Sequence, residues 1–359
     1  MNELRDQILD LIDTIGPLSE SRFNEAALRL FQRQFELNLP YRRFCLSQEK
    51  RPGRVQTWEE IPPLPAMAFK VAAISCRPVE EAARLFQSSG TTGTDKSRHP
   101  LFDLEIAAAA IRTHFRRHLL PEGDRIKMAI LTPSPDETPH ASLSFMMEVI
   151  RAAYGTEGSR YYIREGKLDA ARLASDLTKG DEPVALLGTS FSFVHFLDFL
   201  RDQTLRIRLP EKSRLMDTGG FKGKSREIPR ASLDALYQEY LGLPPAWCIN
   251  EYGMSEMTSQ FYDGVAGVDG PRVYIAPPQL RSRLLHPETL RPVAKGDVGL
   301  LAHYDLANID SVAAILTEDL GREGEGGILL LGRAPGATPK GCSITHDDLL
   351  GSHKGIGER

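Results

Sequence analysis

An α/β protein with mostly parallel strands, helices on the sheet faces and a smaller β-rich portion is the fold class this chain predicts. Three observations carry that expectation. Between residues 127 and 250, short apolar runs alternate with helix-length segments, the pattern of a largely parallel sheet covered on both faces. From about residue 272 the texture changes to short β segments cut by Gly, Pro and Asp. The chain has 359 residues, 41% hydrophobic and 26% charged, which suits one large or two medium globular domains.

The elements follow in order. Leu4, Ile8, Leu11 and Ile12, then Phe23, Ala27, Leu30 and Phe31, fall at helical spacing. Residues 51–65 are Pro-rich and extended, and 67–73 suit a short helix or strand. The spacing predicts a helix over 104–119, with Asp103 as its N-cap. Lys127-Met128-Ala129-Ile130-Leu131 reads as a buried strand, followed by a Pro-broken loop over 132–139 and a helix over 142–154. A helix over 167–179 is expected, then a buried strand over 183–188 and a helix over 191–201. Residues 214–216 form a short strand ending at Gly219-Gly220, and 232–241 a helix. The run 246–250 then leads into Glu251-Tyr252-Gly253-Met254-Ser255-Glu256. Short β segments follow at 272–276, 279–285, 298–302, 313–317 and 327–331. The expected division is an α/β core over 1–270 and a β-rich subdomain with a short tail over 271–359.

Composition excludes several classes. A net charge of −4 gives no general pull toward nucleic acid or an anionic membrane. No run of about 18 apolar residues exists, so no membrane span is expected. The charged start Met1-Asn2-Glu3-Leu4-Arg5-Asp6 has a helical pattern rather than that of a signal peptide. Cys45, Cys76, Cys248 and Cys342 lie far apart without zinc spacing, as in a reduced, cytoplasmic enzyme.

The densest chemical signal lies between Phe86 and Ser97, where Ser88, Ser89, Thr91, Thr92, Thr94 and Ser97 surround Gly90 and Gly93. Glycines turn tightly and expose N–H groups, the hydroxyls add donors, and Lys96 adds positive charge. A polyanion such as a nucleotide triphosphate suits this loop; a flexible Ser/Gly/Thr linker has the same composition. A Walker A loop is excluded, because Asp95 stands where its second Gly belongs. The run from Gly219 to Ser225 is one residue too short for the same motif.

Several motifs resemble, in order, those of the adenylate-forming superfamily of acyl-CoA synthetases, luciferases and adenylation domains. Ser88-Ser89-Gly90-Thr91-Thr92-Gly93-Thr94-Asp95-Lys96 resembles its phosphate loop. Thr218-Gly219-Gly220-Phe221 is similar to its adenine-contacting glycine pair, and Asn250 to Glu256 to its Tyr-Gly-x-Thr-Glu motif. Thr317-Glu318-Asp319 and Leu331-Gly332-Arg333 resemble its later Thr-Gly-Asp and Gly-Arg elements. Asp217-Thr218-Gly219-Gly220-Phe221-Lys222-Gly223, Glu251 to Met257 and Asp305-Leu306-Ala307-Asn308 bring the chain closer still to LuxE-type acyl-protein synthetases, over roughly residues 15 to 350.

That resemblance implies a large-domain adenylate-forming fold, with ATP and Mg²⁺ as cofactors and a carboxylic acid, of the fatty-acid class, as substrate. The acid attacks the α-phosphate, pyrophosphate leaves, and a thiol takes the acyl group from the adenylate. The 88–96 loop should wrap the leaving phosphates, with Lys96 offsetting their charge. Glu256 should ligate Mg²⁺ and Ser255 donate to the α-phosphate. Tyr252, flanked by Glu251, Gly253 and Met254, offers a face for adenine above Gly219, Gly220 and Phe221. Asp319 should accept from the ribose hydroxyls, and Arg333 reaches ribose or phosphate, or makes a surface ion pair. His140 lies near the carboxylate substrate, or caps and packs. Phe145-Met146-Met147 and Phe191-Ser192-Phe193 line an acyl tunnel or belong to the core.

Three positions depart from the superfamily pattern. Asp95-Lys96-Ser97 replaces Pro-Lys-Gly, Glu318 replaces a small Gly, and only residues 334–359 follow Arg333, too few for the usual C-terminal lid. LuxE-type proteins are similarly short. Their acyl acceptor is a Cys near the C-terminus, a role Cys342 would take with Lys340 lowering its pKa; a small buried residue is the alternative. An acyl carrier protein, coenzyme A or an acyl reductase partner are the other acceptors. The competing functions are a phenylacetate-type acyl-CoA ligase and a non-catalytic nucleotide-binding regulatory subunit.

Overall fold

The protein is described here by a computed structural model covering residues 2–16, 18–88, 96–123, 125–219 and 228–334. It begins with helices α1 (Asn2–Asp13), α2 (Glu20–Leu37) and α3 (Leu39–Ser47). Ser19 caps α2 by accepting from Arg22 N at 3.4 Å, and Asn38 caps α3 by accepting from Tyr41 N at 3.1 Å. Strand β1 (Leu64–Pro65) and helix α4 (Ala68–Val71) lead to a hairpin of β2 (Arg84–Gln87) and β3 (Arg98–Leu101). Next come α5 (Leu104–Leu119), β4 (Lys127–Leu131), α6 (Ser142–Tyr154) and β5 (Arg160–Tyr161). A small hairpin of β6 (Ile163–Arg164) and β7 (Lys167–Leu168) precedes α7 (Ala170–Lys179), β8 (Val184–Thr189) and α8 (Ser190–Asp202). Then β9 (Arg214–Thr218), α9 (Arg230–Leu241), β10 (Cys248–Tyr252) and β11 (Phe261–Tyr262) follow. Strands β12 (Leu280–Leu285), β13 (Gly299–Asp305), β14 (Ala314–Gly324) and β15 (Gly327–Arg333) close the described chain.

The main sheet runs β11-β10-β9-β8-β4-β5, parallel throughout except for β11. Its strands are apolar on both faces because both are covered. Met128, Ile130, Ala185, Leu187, Met216 and Ile249 meet α5 and α6, while Ala129, Leu131, Leu186, Leu215 and Cys248 meet α7, α8 and α9. Asp103 caps α5 as expected, accepting from Glu105 N at 3.0 Å and Ile106 N at 3.1 Å.

The second sheet runs β1-β14-β13-β12, with β15 on the far part of β14. Strand β1 joins parallel to β14, with Leu64 opposite Ile315. Leu300, Ala302 and Ile315 share one core with Phe31 and Tyr41 of the N-terminal helices. The sheet formed mainly by residues 280–333 is therefore completed and covered by residues 4–74.

Several boundaries differ from the sequence expectation. The helix expected over 167–179 starts at Ala170, because Glu165 and Gly166 turn with φ 51° and 71° and send Lys167-Leu168 back against Ile163-Arg164. Asp169 then caps the helix through Arg172 N at 3.1 Å. Residues 272–276 form only bridges, Ile275 to Tyr262 and Tyr274 to Ile328. Strand β10 runs past the expected 246–250 segment to include Glu251 and Tyr252, and residues 253–260 form an irregular turn.

Candidate active site

Gly219 and the 251–256 motif stand at the carboxyl ends of the parallel strands β9 and β10, where the open-sheet rule expects ligands. The 88–96 loop instead joins the antiparallel strands β2 and β3, and Asp319 and Arg333 lie on the second sheet. At the base of the 88–96 loop, Ser88 N donates to Ser97 O at 3.2 Å and Ser97 N to Ser88 Oγ at 3.1 Å. Lys96 is exposed beside this closure. Ser89, Gly90, Thr91, Thr92, Gly93 and Thr94 lie outside the described residues, as do Gly220, Phe221 and Cys342.

The hairpin meets the β10 turn directly through His99 and indirectly through residues 140–142. His99, on β3, places Nδ1 2.8 Å from Ser255 O; a carbonyl only accepts, so Nδ1 carries the hydrogen. Burial lowers the pKa of His99 to about 4, keeping it neutral. His140 follows β4 and donates from Nδ1 to Leu85 O at 3.0 Å, while its own carbonyl accepts from Gln87 N at 2.9 Å. It therefore anchors the hairpin. Two residues on, Ser142 Oγ reaches Ser255 Oγ at 3.5 Å.

Tyr252 and Asp319 come together from different sheets. Tyr252 Oη donates to Asp319 Oδ2 at 2.8 Å. Arg333 is the cross-strand partner of Asp319, with Nε 3.7 Å from Oδ1, and its side chain is largely exposed. Burial pushes the Asp319 carboxyl up, against the Tyr252 hydrogen bond and the Arg333 charge.

Next to Tyr252, the buried Glu251 accepts from Thr218 Oγ1, joining the ends of β10 and β9. A Cβ on Gly253 would lie 2.7 Å from Glu251 Oε1, so any larger residue there would push that carboxyl group aside. Gly219 is required by its backbone instead: its φ is 74°, and its carbonyl accepts from Ser190 Oγ at 3.0 Å. Below it the fully buried Asp217 accepts from Ser190 Oγ at 3.0 Å, Asn250 Nδ2 at 2.9 Å and Tyr237 Oη at 3.2 Å, and pairs with Arg230.

Glu256 is buried and its turn is held from the second sheet. Asn308 Nδ2 donates to Glu256 O at 2.9 Å, and Asn308 Oδ1 accepts from Thr258 Oγ1 at 2.6 Å. Asp305 accepts from Thr258 N at 2.9 Å, Ser259 N at 2.7 Å, Ser259 Oγ at 2.8 Å and Ala307 N at 3.1 Å. Residues 305 and 308, part of the LuxE-like wording, thus fix the backbone that carries Ser255 and Glu256. Sequence spacing alone assigned them no job; an Asp and an Asn bracketing the apolar pair Leu306-Ala307 after a buried strand was the available signal.

Among the described residues, no three His, Cys, Asp or Glu side chains form a self-contained metal cage. A single carboxylate at Glu256 suits Mg²⁺ shared with phosphate oxygens, the usual manner of binding for that ion. Met146, Met147 and Phe193 lie in the cores beneath the sheet. Phe145 alone of the Phe-Met-Met run turns toward the hairpin, with its ring 5.5 Å from that of Phe86. A cavity of about 290 Å³, bordered by Arg125, Lys127 and Lys212, opens at the amino ends of the strands, away from these motifs.

Solved structures share this architecture. A 2-hydroxyisobutyryl-CoA ligase superposes with a TM-score of 0.64 at 16% identity, covering 90% of this chain and 75% of the ligase. ATP-bound MatB from Rhodopseudomonas palustris gives 0.51 at 17% identity, over 72% of this chain and 49% of MatB. The fold is that of the adenylate-forming ligases. Residues 9–350 match the family described as acyl-protein synthetase, LuxE, and the chain belongs to that family. It is similar to the long-chain-fatty-acid–luciferin-component ligase of Aliivibrio fischeri, 24% identical over 81% of this chain and 76% of the relative. The ligase of the same name from Vibrio harveyi is 22% identical, over 88% of this chain and 84% of the relative.

Proposed function

We propose that this protein activates a carboxylic acid of the fatty-acid class with ATP, releasing pyrophosphate, and passes the acyl group to a thiol. The observation that supports it best is the bond from Tyr252 to Asp319, made beside a turn whose Ser255 meets both His99 and Ser142. These contacts support a reading in which Tyr252, Asp319 and Ser255 serve one nucleotide. ATP is a substrate in this scheme. A carboxylate oxygen attacks the α-phosphorus, and the bond from that phosphorus to pyrophosphate breaks. Lys96 offsets the charge on the departing group, and Ser255 donates to the α-phosphate. Glu256 would hold a magnesium ion, which when bound neutralises phosphate charge. Asp319 accepts from the ribose hydroxyls, with Arg333 beside it. Tyr252, Gly219 and Gly220 bracket the adenine.

In the second half, a thiolate attacks the acyl carbon and the bond to AMP breaks; the thiol's proton passes to solvent. Cys342 is the proposed acceptor, with a carrier-protein thiol, coenzyme A or a reductase partner as the alternatives. ATP–pyrophosphate exchange across a panel of carboxylic acids tests the activation step. Exchange with medium- and long-chain acids is expected. Exchange with no acid would leave a nucleotide-binding regulatory subunit as the better reading, and thioester turnover with free coenzyme A alone would favour an acyl-CoA ligase.

A further inference from the structure

Four side chains from four strands form a single file of hydrogen bonds that ends on Asp319. Ser282 Oγ is 2.8 Å from His303 Nδ1, His303 Nε2 is 3.2 Å from Tyr252 Oη, and Tyr252 Oη is 2.8 Å from Asp319 Oδ2. Proton counting sets its direction. A carboxylate only accepts, so Tyr252 gives Asp319 its one hydrogen. The phenol oxygen then accepts from His303, which places the ring hydrogen on Nε2 and leaves Nδ1 bare. Ser282 donates to that bare nitrogen. The file needs a neutral imidazole, and complete burial lowers the pKa of His303 to about 3.

Packing leaves the ring little freedom. His303 lies directly opposite Ser282 across the β12–β13 pair, and its ring centroid is 5.0 Å from that of Phe261 and 5.7 Å from that of Tyr252. With Oδ2 of Asp319 engaged by Tyr252, Oδ1 is the oxygen left for a ligand, and Arg333 Nε stands 3.7 Å from it.

We propose that Ser282 and His303 are positioning residues for the sugar of the nucleotide: by orienting the Tyr252 hydroxyl they aim the second oxygen of Asp319 at the ribose hydroxyls. This rests on Asp319 as the ribose acceptor. Neither residue touches the reacting atoms, so the pair governs nucleotide affinity and sugar discrimination.

The test is equilibrium binding of ATP, 2′-deoxy-ATP and 3′-deoxy-ATP to the full chain by calorimetry, with a thermal melt of each variant. His303→Phe removes the donor, and His303→Asn is too short to reach Tyr252. His303→Gln keeps an amide N–H near the Nε2 position. Phe and Asn should weaken ATP binding about tenfold, the loss of roughly one hydrogen bond, and narrow the preference for ATP over the deoxy analogues. Gln should stay within about threefold of wild type, since the N–H donor is kept. If His303→Phe fails to fold, Ser282→Ala, which only frees Nδ1, should still narrow that preference. Folded variants with the wild-type ratio of ATP to deoxy-ATP affinity would overturn the positioning role and leave ATP use intact. Wild-type protein that binds all three nucleotides equally would overturn the ribose role of Asp319, and the pair's role with it.

Discussion

Replacing Glu251 with Gln should make folding stability less sensitive to pH, with the gap between the two proteins widening as pH rises. Glu251 is enclosed at the end of β10, and burial is the main reason its carboxyl is pushed up from 4.5 to about 7. The negative charge of Asp217 adds to the effect, and the hydrogen bond from Thr218 opposes it. A folded-state value above the unfolded one means that the folded chain holds this proton more tightly. Stability from the group is therefore complete below the unfolded value and is lost as pH rises through the folded one. The displacement from 4.5 to about 7, at about 1.36 kcal/mol per pH unit, amounts to about 3 kcal/mol. Gln is neutral throughout, and its Oε1 can still accept from Thr218. Urea unfolding of both proteins between about pH 4 and 8 should show the Gln variant gaining about 3 kcal/mol on wild type toward the alkaline end. Parallel stability curves would refute the argument.

Asp305→Asn should destabilise the protein by about 2–6 kcal/mol, because an amide NH₂ replaces one oxygen that accepts two hydrogen bonds, each left unmet at about 1–3 kcal/mol. An unchanged urea midpoint would contradict the clamp assigned to it. Lys96→Ala and Glu256→Gln should each lower ATP–pyrophosphate exchange by roughly a hundredfold, the scale of one lost charge-stabilising group, with the melting temperature of Lys96→Ala unchanged. Wild-type exchange in either variant would remove that residue from the mechanism. Cys342→Ser should abolish covalent labelling by radioactive acyl donor and leave exchange intact; undiminished labelling would place the acceptor elsewhere.

The central strands were legible because their burial is two-sided and local. Met128 to Leu131 is apolar without interruption since each successive side chain meets a different covered face. Asp103 was legible as a cap because capping involves neighbours two and three residues away. The start of α7 was not, since Leu168 of the short strand after the Glu165-Gly166 turn runs on in an apolar rhythm with Leu173 and Leu177 of the helix. Among the site residues, Tyr252 and Asp319 could be named from motifs, but their bond spans 67 residues and two sheets. His303 had no motif at all. It falls one residue past the β segment expected over 298–302, and only the observed register sets it opposite Ser282.

The two sheets also explain why the motifs are spread so widely along the chain. Ser255 and Glu256 lie on a turn that leaves the parallel sheet at β10, yet Asp305 and Asn308, at the end of β13, hold the backbone on its far side. Helix α2 reaches the same place: Gln34 donates to Asn308 O at 2.7 Å and accepts from Ala313 N at 3.0 Å. The segment that would meet the phosphates is thus held by the first 40 residues, by the main sheet and by the late β strands together. A ligand gripped at Asp319 and at Ser255 would lie across the seam between the sheets. Any shift of one sheet against the other would then change the distance between the sugar and phosphate contacts, which ties nucleotide binding to the alignment of both layers.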